Sequence, residues 1–233
     1  RAAWQAPRHV IRCASSRVQG VSRMMTAKFL STIVLMAALA ACGGQHARVE
    51  AGVPVATANW RAVATQPDRE RLRDWRDAWM AALDRIRGSD AADLAAQGAL
   101  FDPDHALLNG VPPAGDYRCR VFKLGGNGTA MAEFTRYPDD RCRIDTSGGV
   151  SKFYKITGAQ RQSGTIYSDS PSRAVFLGTL SLADEKRAMD YDRDDVRNLA
   201  GYFERVGEKR WRLVLPRPQF ESILDVIELV PLQ

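Results

Sequence analysis

The sequence predicts a mainly β chain with N-terminal helices. In this α+β arrangement one long and one short helix precede an antiparallel β-barrel or closed meander. Three observations carry the prediction. From Asp116 onward, short runs with alternating apolar residues recur at steps of mostly 9 to 13 residues, separated by Gly, Pro, Asp and Ser clusters, the spacing of a barrel or sandwich. Before it, Leu72, Trp75, Trp79, Leu83 and Ile86 fall at helical intervals and form one apolar stripe. At the junction, Cys119 and Cys142 each stand between two arginines in strand-like runs.

Taken in order, residues 1–23 carry five arginines, no acid and no hydrophobic period. They are expected to be an upstream extension, with initiation at Met24 or Met25. Residues 24–41 then have the form of a secretory signal. Lys28 supplies the basic region, and Phe29 to Ala41 is an uncharged run, too short to span a bilayer. It ends Leu39-Ala40-Ala41-Cys42, which resembles the lipobox of bacterial lipoproteins. The resemblance implies diacylglycerol on the Cys42 thiol, cleavage before it and acylation of the new amino terminus. Such a multi-chain anchor is stable where a single chain is marginal. Gly43 after the cysteine implies sorting to the outer membrane. The expected location is therefore the cell envelope, lipid-anchored and facing the periplasm, with the membrane as first partner.

Charge supports this reading. Of the 33 lysines and arginines, six lie in residues 1–41, which contain no acid, leaving 27 basic against 27 acidic residues. The net charge of +6 belongs to the leader. No nucleic-acid partner is expected of a balanced mature chain.

Residues 42–64 lack sustained periodicity and are expected to be a flexible tether. A helical preface covers 65–115. Its long helix is expected from Pro67 to Arg87, with Thr65 and Asp68 in an N-terminal capping arrangement and Gly88 as the stop. The two tryptophans read as core. A short helix follows from Asp90 to Gln97, then an irregular crossing through Asp102, His105 and Pro112.

His105 is the only histidine past the tether. A Ser-His-Asp or Cys-His system would have to use it, and a zinc site would have one imidazole. No metal or cofactor is expected. Residues 125–128 lack the Lys-Ser/Thr of a phosphate loop, and residues 190–201 lack the glycine and glutamate of a calcium loop.

Residues 116–233 are the β domain, and 65–233 is expected to fold as one unit. Strands are expected to start near 116, 129, 141, 150, 161, 173, 199, 210 and 223, with Pro138-Asp139-Asp140 among the turns. Residues 183–198 are expected to be a charged helical excursion. In an oxidising periplasm Cys119 and Cys142 should form a disulfide, closing a 24-residue loop, worth about 3.5 kcal/mol in the chain-entropy picture. If both cysteines face the core, the period of two turns Arg118, Arg120, Arg141 and Arg143 outward together. That face is a candidate anion-binding patch, or else a solvated face paired with nearby aspartates. Gln160 and Arg161, in a polar turn-strand unit, are further binding candidates.

Five blocks carry a family resemblance: residues 117–125 (YRCRVFKLG), 155–161 (KITGAQR), 175–178 (VFLG), 210–216 (RWRLVLP) and 221–229 (ESILDVIEL). In order and spacing they resemble domain-of-unknown-function family 4893. Ala159 stands where the resemblance implies serine, and Asp192 where it implies glycine. The resemblance implies a secreted or lipidated envelope protein and supplies no catalytic residues. In architecture alone, a helix, an early disulfide and a small barrel are similar to calycin-type protease inhibitors. The functional expectation is a non-enzymatic binding or interaction module taking an envelope protein or polyanionic ligand. The alternatives are a carboxylate enzyme using Glu185, Asp195, Glu204 or Glu221 on an envelope polymer, and a calycin-like protease inhibitor.

The anchor is directly testable. Cys42→Ser should leave the protein unprocessed or release it from membranes, as read by detergent-phase partitioning. Wild-type protein recovered wholly in the aqueous phase would contradict the lipobox reading.

Overall fold

The computed structural model describes residues 59–86, 90–128 and 131–232. The expected leader, Cys42, most of the tether and the Gly88 stop lie outside the described residues. Among the described residues eight strands follow one another: β1 (Gly115–Gly126), β2 (Phe134–Asp145), β3 (Ser151–Lys155), β4 (Gln160–Ser170), β5 (Arg173–Leu182), β6 (Asn198–Gly207), β7 (Arg210–Pro216) and β8 (Ser222–Pro231). Each pairs antiparallel with the next, and β8 returns to β1 to close a barrel. This is the expected closed meander, an up-and-down barrel.

The expected strands near 129 and 141 are one strand, β2. Pro138-Asp139-Asp140 lies inside it rather than in a turn. The register against β1 slips between Arg120 and Phe122, opposite Asp139 and Arg136, so a bulge absorbs the proline. On its other side β2 pairs with β3 only from Cys142 to Asp145, so the missing N–H of Pro138 interrupts no ladder there.

Side chains alternate between lumen and outer wall. Tyr117, Cys119 and Val121 of β1 join Trp211, Leu213 and Leu215 of β7 in a lumenal cluster. Phe122 and Leu124, one residue out of phase, join Leu224 and Val226 beneath the helices. Phe153, Phe176 and Phe203 meet edge-on in the lumen, with centroids 5.5–6.0 Å apart. Gly164 and Gly178 are register partners. A Cβ on either would come within 2.8 Å of the Phe176 ring, so this pair makes room for it.

Four short helices pack outside: α1 (Trp60–Val63), α2 (Gln66–Arg73), α3 (Trp75–Ile86) and α4 (Ala91–Ala95), followed by a 3-10 turn at Gly98–Phe101. The expected long helix is thus two, broken at Asp74, whose φ of −94° and ψ of 17° leave helical geometry. The apolar stripe exists but serves two surfaces. Leu72 packs with Val175, Leu177 and Tyr202, whereas Trp79 and Ile86 pack with Phe122 and Val226. Trp75 touches both clusters. The break lets one stripe follow a curved wall. Thr65 caps α2 as expected, its hydroxyl accepting from the Asp68 N–H. The fold also begins before residue 65. Trp60 is buried and its Nε1 donates to Asp169 Oδ1 at 3.0 Å, so residues 60–64 belong to the wall rather than the tether.

Arg212 joins the preface to the barrel. It lies on the outer face of β7 at 0% exposure. Its Nε donates to Glu204 Oε2 at 2.7 Å, Nη1 to the carbonyls of Ala99, Leu100 and Asp102, and Nη2 to that of His105 at 3.0 Å. The guanidinium also lies 4.6 Å from the Trp79 ring centroid. One side chain therefore gathers four carbonyls of the crossing, of which Ala99 and Asp102 also accept from the N–H groups of Asp102 and His105. Burial pulls the Arg212 pKa down, with Glu204 opposing.

The same crossing closes one end of the barrel. Trp211 Nε1 donates to Asn109 O at 3.3 Å, Tyr117 Oη to Pro113 O at 2.6 Å, and Val111 packs on the lumenal cluster. Residues 183–197, at the other end, are a series of turns rather than a helix. Tyr191 ties them to α2, donating to Asp68 Oδ2 and accepting from the Thr65 N–H. Asp192 has φ +68°, a left-handed geometry that glycine adopts at no steric cost. This is the position where the family resemblance implies glycine.

Two predictions follow from this wall. Arg212→Met should lower unfolding stability by about 3–5 kcal/mol, the cost of breaking a buried ion pair. A loss below about 1 kcal/mol in urea unfolding would contradict its role. The second concerns alkali. Burial raises the phenol pKa of Tyr117, Tyr167, Tyr191 and Tyr202, the last to about 12. Unfolded phenols ionise near about 10, so the folded state holds extra protons above that pH. Their contribution is intact below about 10 and is lost as pH rises through the folded values. Phenolate absorbance should therefore rise together with loss of near-UV circular dichroism, and ionisation of these phenols with the fold intact near pH 10 would contradict this.

Candidate functional site: the open end of the barrel

β3 has five residues, between strands of twelve and eleven. The first part of β2 and the start of β4 therefore have no strand between them. The connection through residues 156–159 crosses this gap instead. A cavity of about 400 Å³ opens there into the lumen. Val121, Tyr137, Pro138 and Ala159 give it apolar walls, and Lys123, Asp140, Lys155, Gln160, Gln162 and Glu221 bring polar groups. This mixture of apolar walls and a few convergent polar groups is typical of small-molecule sites.

Two buried ammonium groups organise the polar side. Lys123, 3% exposed, sits at an inward position of β1. Its Nζ is 3.2 Å from both Asp225 Oδ2 and Glu221 Oε2. Burial opposes its charge, but the two carboxylates outweigh burial and the pKa is raised. Burial pushes the Asp225 carboxyl up, against the pull of Lys123 and of the Ser222 hydroxyl that donates to it. Lys123 is thus a charged group held between a buried carboxyl and a solvent-side one.

Lys155 is arranged differently. Its Nζ lies 2.5 Å from Asp140 Oδ2 and donates to the carbonyls of Thr157 at 2.8 Å and Gln160 at 3.0 Å. All three ammonium protons have acceptors. Burial lowers its pKa, with Asp140 opposing. The Thr157 hydroxyl donates to Asp140 Oδ1 at 2.6 Å and accepts from the Arg141 N–H at 2.9 Å. Gly158 makes this fold-back possible. Its φ is +87°, and a Cβ there would stand 2.5 Å from Lys155 Nζ.

Two features are unusual. Gln162 is 2% exposed, yet its Oε1 has no hydrogen-bond partner. A buried unpaired acceptor costs about 1–3 kcal/mol. Glu221 holds φ +71°, a costly geometry for a side-chain-bearing residue, and also accepts from Gln160 Nε2 at 3.4 Å.

The sequence-predicted residues divide between two places. Cys119 and Cys142 are disulfide-bonded with Cα atoms 5.8 Å apart, and both face the lumen. The flanking arginines face outward, as the strand period requires. Arg118 and Arg120 both pair with Asp139, and Arg143 pairs with Asp116. Arg141 is exposed. Asp140, one residue beyond the bulge, turns inward to Lys155 instead. Of the other pair, Gln160 lines the cavity, whereas Arg161 donates outward to the carbonyls of Gly158, Ala183 and Glu185. The candidate carboxylates are dispersed. Glu204 binds Arg173 and Arg212, Glu185 binds Arg197, Asp195 accepts from Asn198, and Glu221 lines the cavity.

Sequence reasoning missed Lys123, Lys155 and Asp225, and reached Gln162 only as part of the polar turn-strand unit. A signal was present. Lys123 follows Val121 by two and Asp225 precedes Ile227 by two, so both are charges at inward positions of apolar strands. A second depression of about 420 Å³ lies between α2 and the loop after β7. Among its charged groups Glu70 and Arg217 are exposed, and Arg71 and Asp74 are partly buried. Among the described residues no cluster of His, Cys, Asp and Glu is placed to hold a metal ion.

The chain belongs to the family described as Domain of unknown function (DUF4893), whose model matches residues 60–229. No curated protein and no solved structure matches it significantly.

Proposed function

We propose that this member of the family is a non-enzymatic binding module of the cell envelope, held to the membrane by lipid on Cys42. Its binding site is the lumenal cavity beside β3. The observation that carries this reading is the buried, unpartnered Oε1 of Gln162, a residue that lines a cavity of about 400 Å³. An acceptor left unpaired inside a polar, roomy site is completed by a ligand group or a water.

Binding is better supported than catalysis. The lining carboxylates Asp140 and Glu221 each face an ammonium group, so neither is poised as one of a free acid-base pair. His105 lends its carbonyl to Arg212 under the helical preface. The outer arginine strip carries the polyanion reading less well. Asp139 and Asp116 already hold three of its four guanidinium groups, and exposed pairs of this kind contribute little.

The test is a thermal-shift screen of small metabolites against wild type and Ala159→Trp, which fills the cavity wall with an indole. Compounds that raise the midpoint of wild type should fail to raise that of the variant. Hits that stabilise both proteins equally would place binding elsewhere and contradict the proposal.

A further inference from the structure

We propose that Lys123 and Asp225 condense into a covalent amide inside the barrel, an isopeptide bond that ties β1 to β8. This goes beyond the binding proposal and is independent of it, because it rests on one pair of side chains and not on what enters the cavity. Three observations carry it. The first is placement. Lys123 and Asp225 are register partners across the β1–β8 seam, where the first and last strands of the meander meet. Both side chains are 4% exposed, and Lys123 Nζ donates to Asp225 Oδ2 at 3.2 Å. Two reactants held in contact behave as if at very high concentration.

The second is the set of groups around the pair. Glu221 Oε2 also lies 3.2 Å from Nζ, within reach of a proton leaving the nitrogen. On the far side of the carboxyl, the Ser222 hydroxyl donates to Asp225 Oδ1, where charge develops when Cγ is attacked. The other buried lysine has no such company. Lys155 pairs with Asp140, but its remaining partners are the carbonyls of Thr157 and Gln160, which carry no proton away.

The third is the cost of the charges. An ammonium and a carboxylate taken out of water carry a desolvation penalty that a neutral amide does not. Burial pushes the Asp225 carboxyl up, toward the acid form whose hydroxyl leaves as water. The two carboxylates hold Lys123 protonated, so the amine is freed by transfer within the pair. One proton moves from Nζ to Oδ2. The Nζ lone pair then attacks Cγ, forming the C–N bond and placing the negative charge on Oδ1. Glu221 takes a second proton from Nζ and delivers it to the Oδ2 hydroxyl. The Cγ–Oδ2 bond breaks, and water leaves into the cavity that Lys123 and Glu221 line. One ammonium and one carboxylate become one amide and one water, with no oxidant, reductant or cofactor.

The experiment is tryptic peptide mapping by mass spectrometry of the full chain, folded, aged at neutral pH, then reduced and denatured. The peptides that hold Lys123 and Asp225 should be joined, lighter than their sum by one water and uncut after Lys123. Lys123→Arg, which keeps the charge, should yield no joined peptide. Glu221→Gln should slow the joining by about a hundredfold or more, the usual worth of a positioned proton carrier, and an unchanged rate overturns the role given to Glu221. Wild type that yields only separate peptides, cut after Lys123, overturns the bond. A loss of water that persists in Lys123→Arg also overturns it, because the dehydration then lies elsewhere. The decisive reading is made on wild type, so it stands even where a variant fails to fold.

Discussion

Much of this molecule depends on the length of one strand. β3 stops at Lys155, while its neighbours run on. A closed barrel of eight strands normally fills its lumen with side chains, and here the closed end does so with three phenylalanines and the disulfide. Where β3 ends, the wall lacks a strand, and the groups that would have met it remain. Asp140 folds back onto Lys155, Gly158 allows the connection to cross them, and Gln162 faces space. The bulge at Pro138 has the same origin, because a proline is tolerated in β2 only where no strand lies alongside.

The helical preface gives the barrel its opposite character at the other end. Arg212 gathers the carbonyls of residues 99–105, which fixes the crossing that leads to Asn109 and Val111. That crossing then caps the lumen over Trp211 and Tyr117. One end is consequently a packed core and the other an entrance. The two buried charge networks divide the work. Arg173, Glu204 and Arg212 lie outside the sheet and hold the fold, and Lys123, Glu221 and Asp225 lie inside it and shape the site.

The fold was legible because its signals are periodic. The alternation of Ala174, Phe176, Gly178, Leu180 and Leu182 marks one face of β5, and the cysteines with their arginines divide as the strand period demands. What was not legible concerns context. Pro138-Asp139-Asp140 has the composition of a turn, but pairing with β1 makes it strand, and the absence of β3 alongside makes the proline tolerable. The stripe from Leu72 to Ile86 has no visible break, because Asp74 bends the helix to suit a curved partner. The candidate site was half legible. Gln160 was singled out, but attention to clustered arginines led to the outer face. Lys123 and Asp225 each sit alone in an apolar run, and closure of the barrel brings them together beside the polar unit that holds Gln160 and Gln162. Tyr191 likewise reads as part of a charged run, although it anchors that segment to α2.

The most direct measurement is a high-resolution crystal structure of the chain. It should show an open cavity between β2 and β4, with a ligand or ordered water within about 3.2 Å of the Gln162 side-chain amide. If residues 157–159 instead extend β3 along β2, and protein groups occupy the lumen and satisfy Gln162, the binding-site account is contradicted.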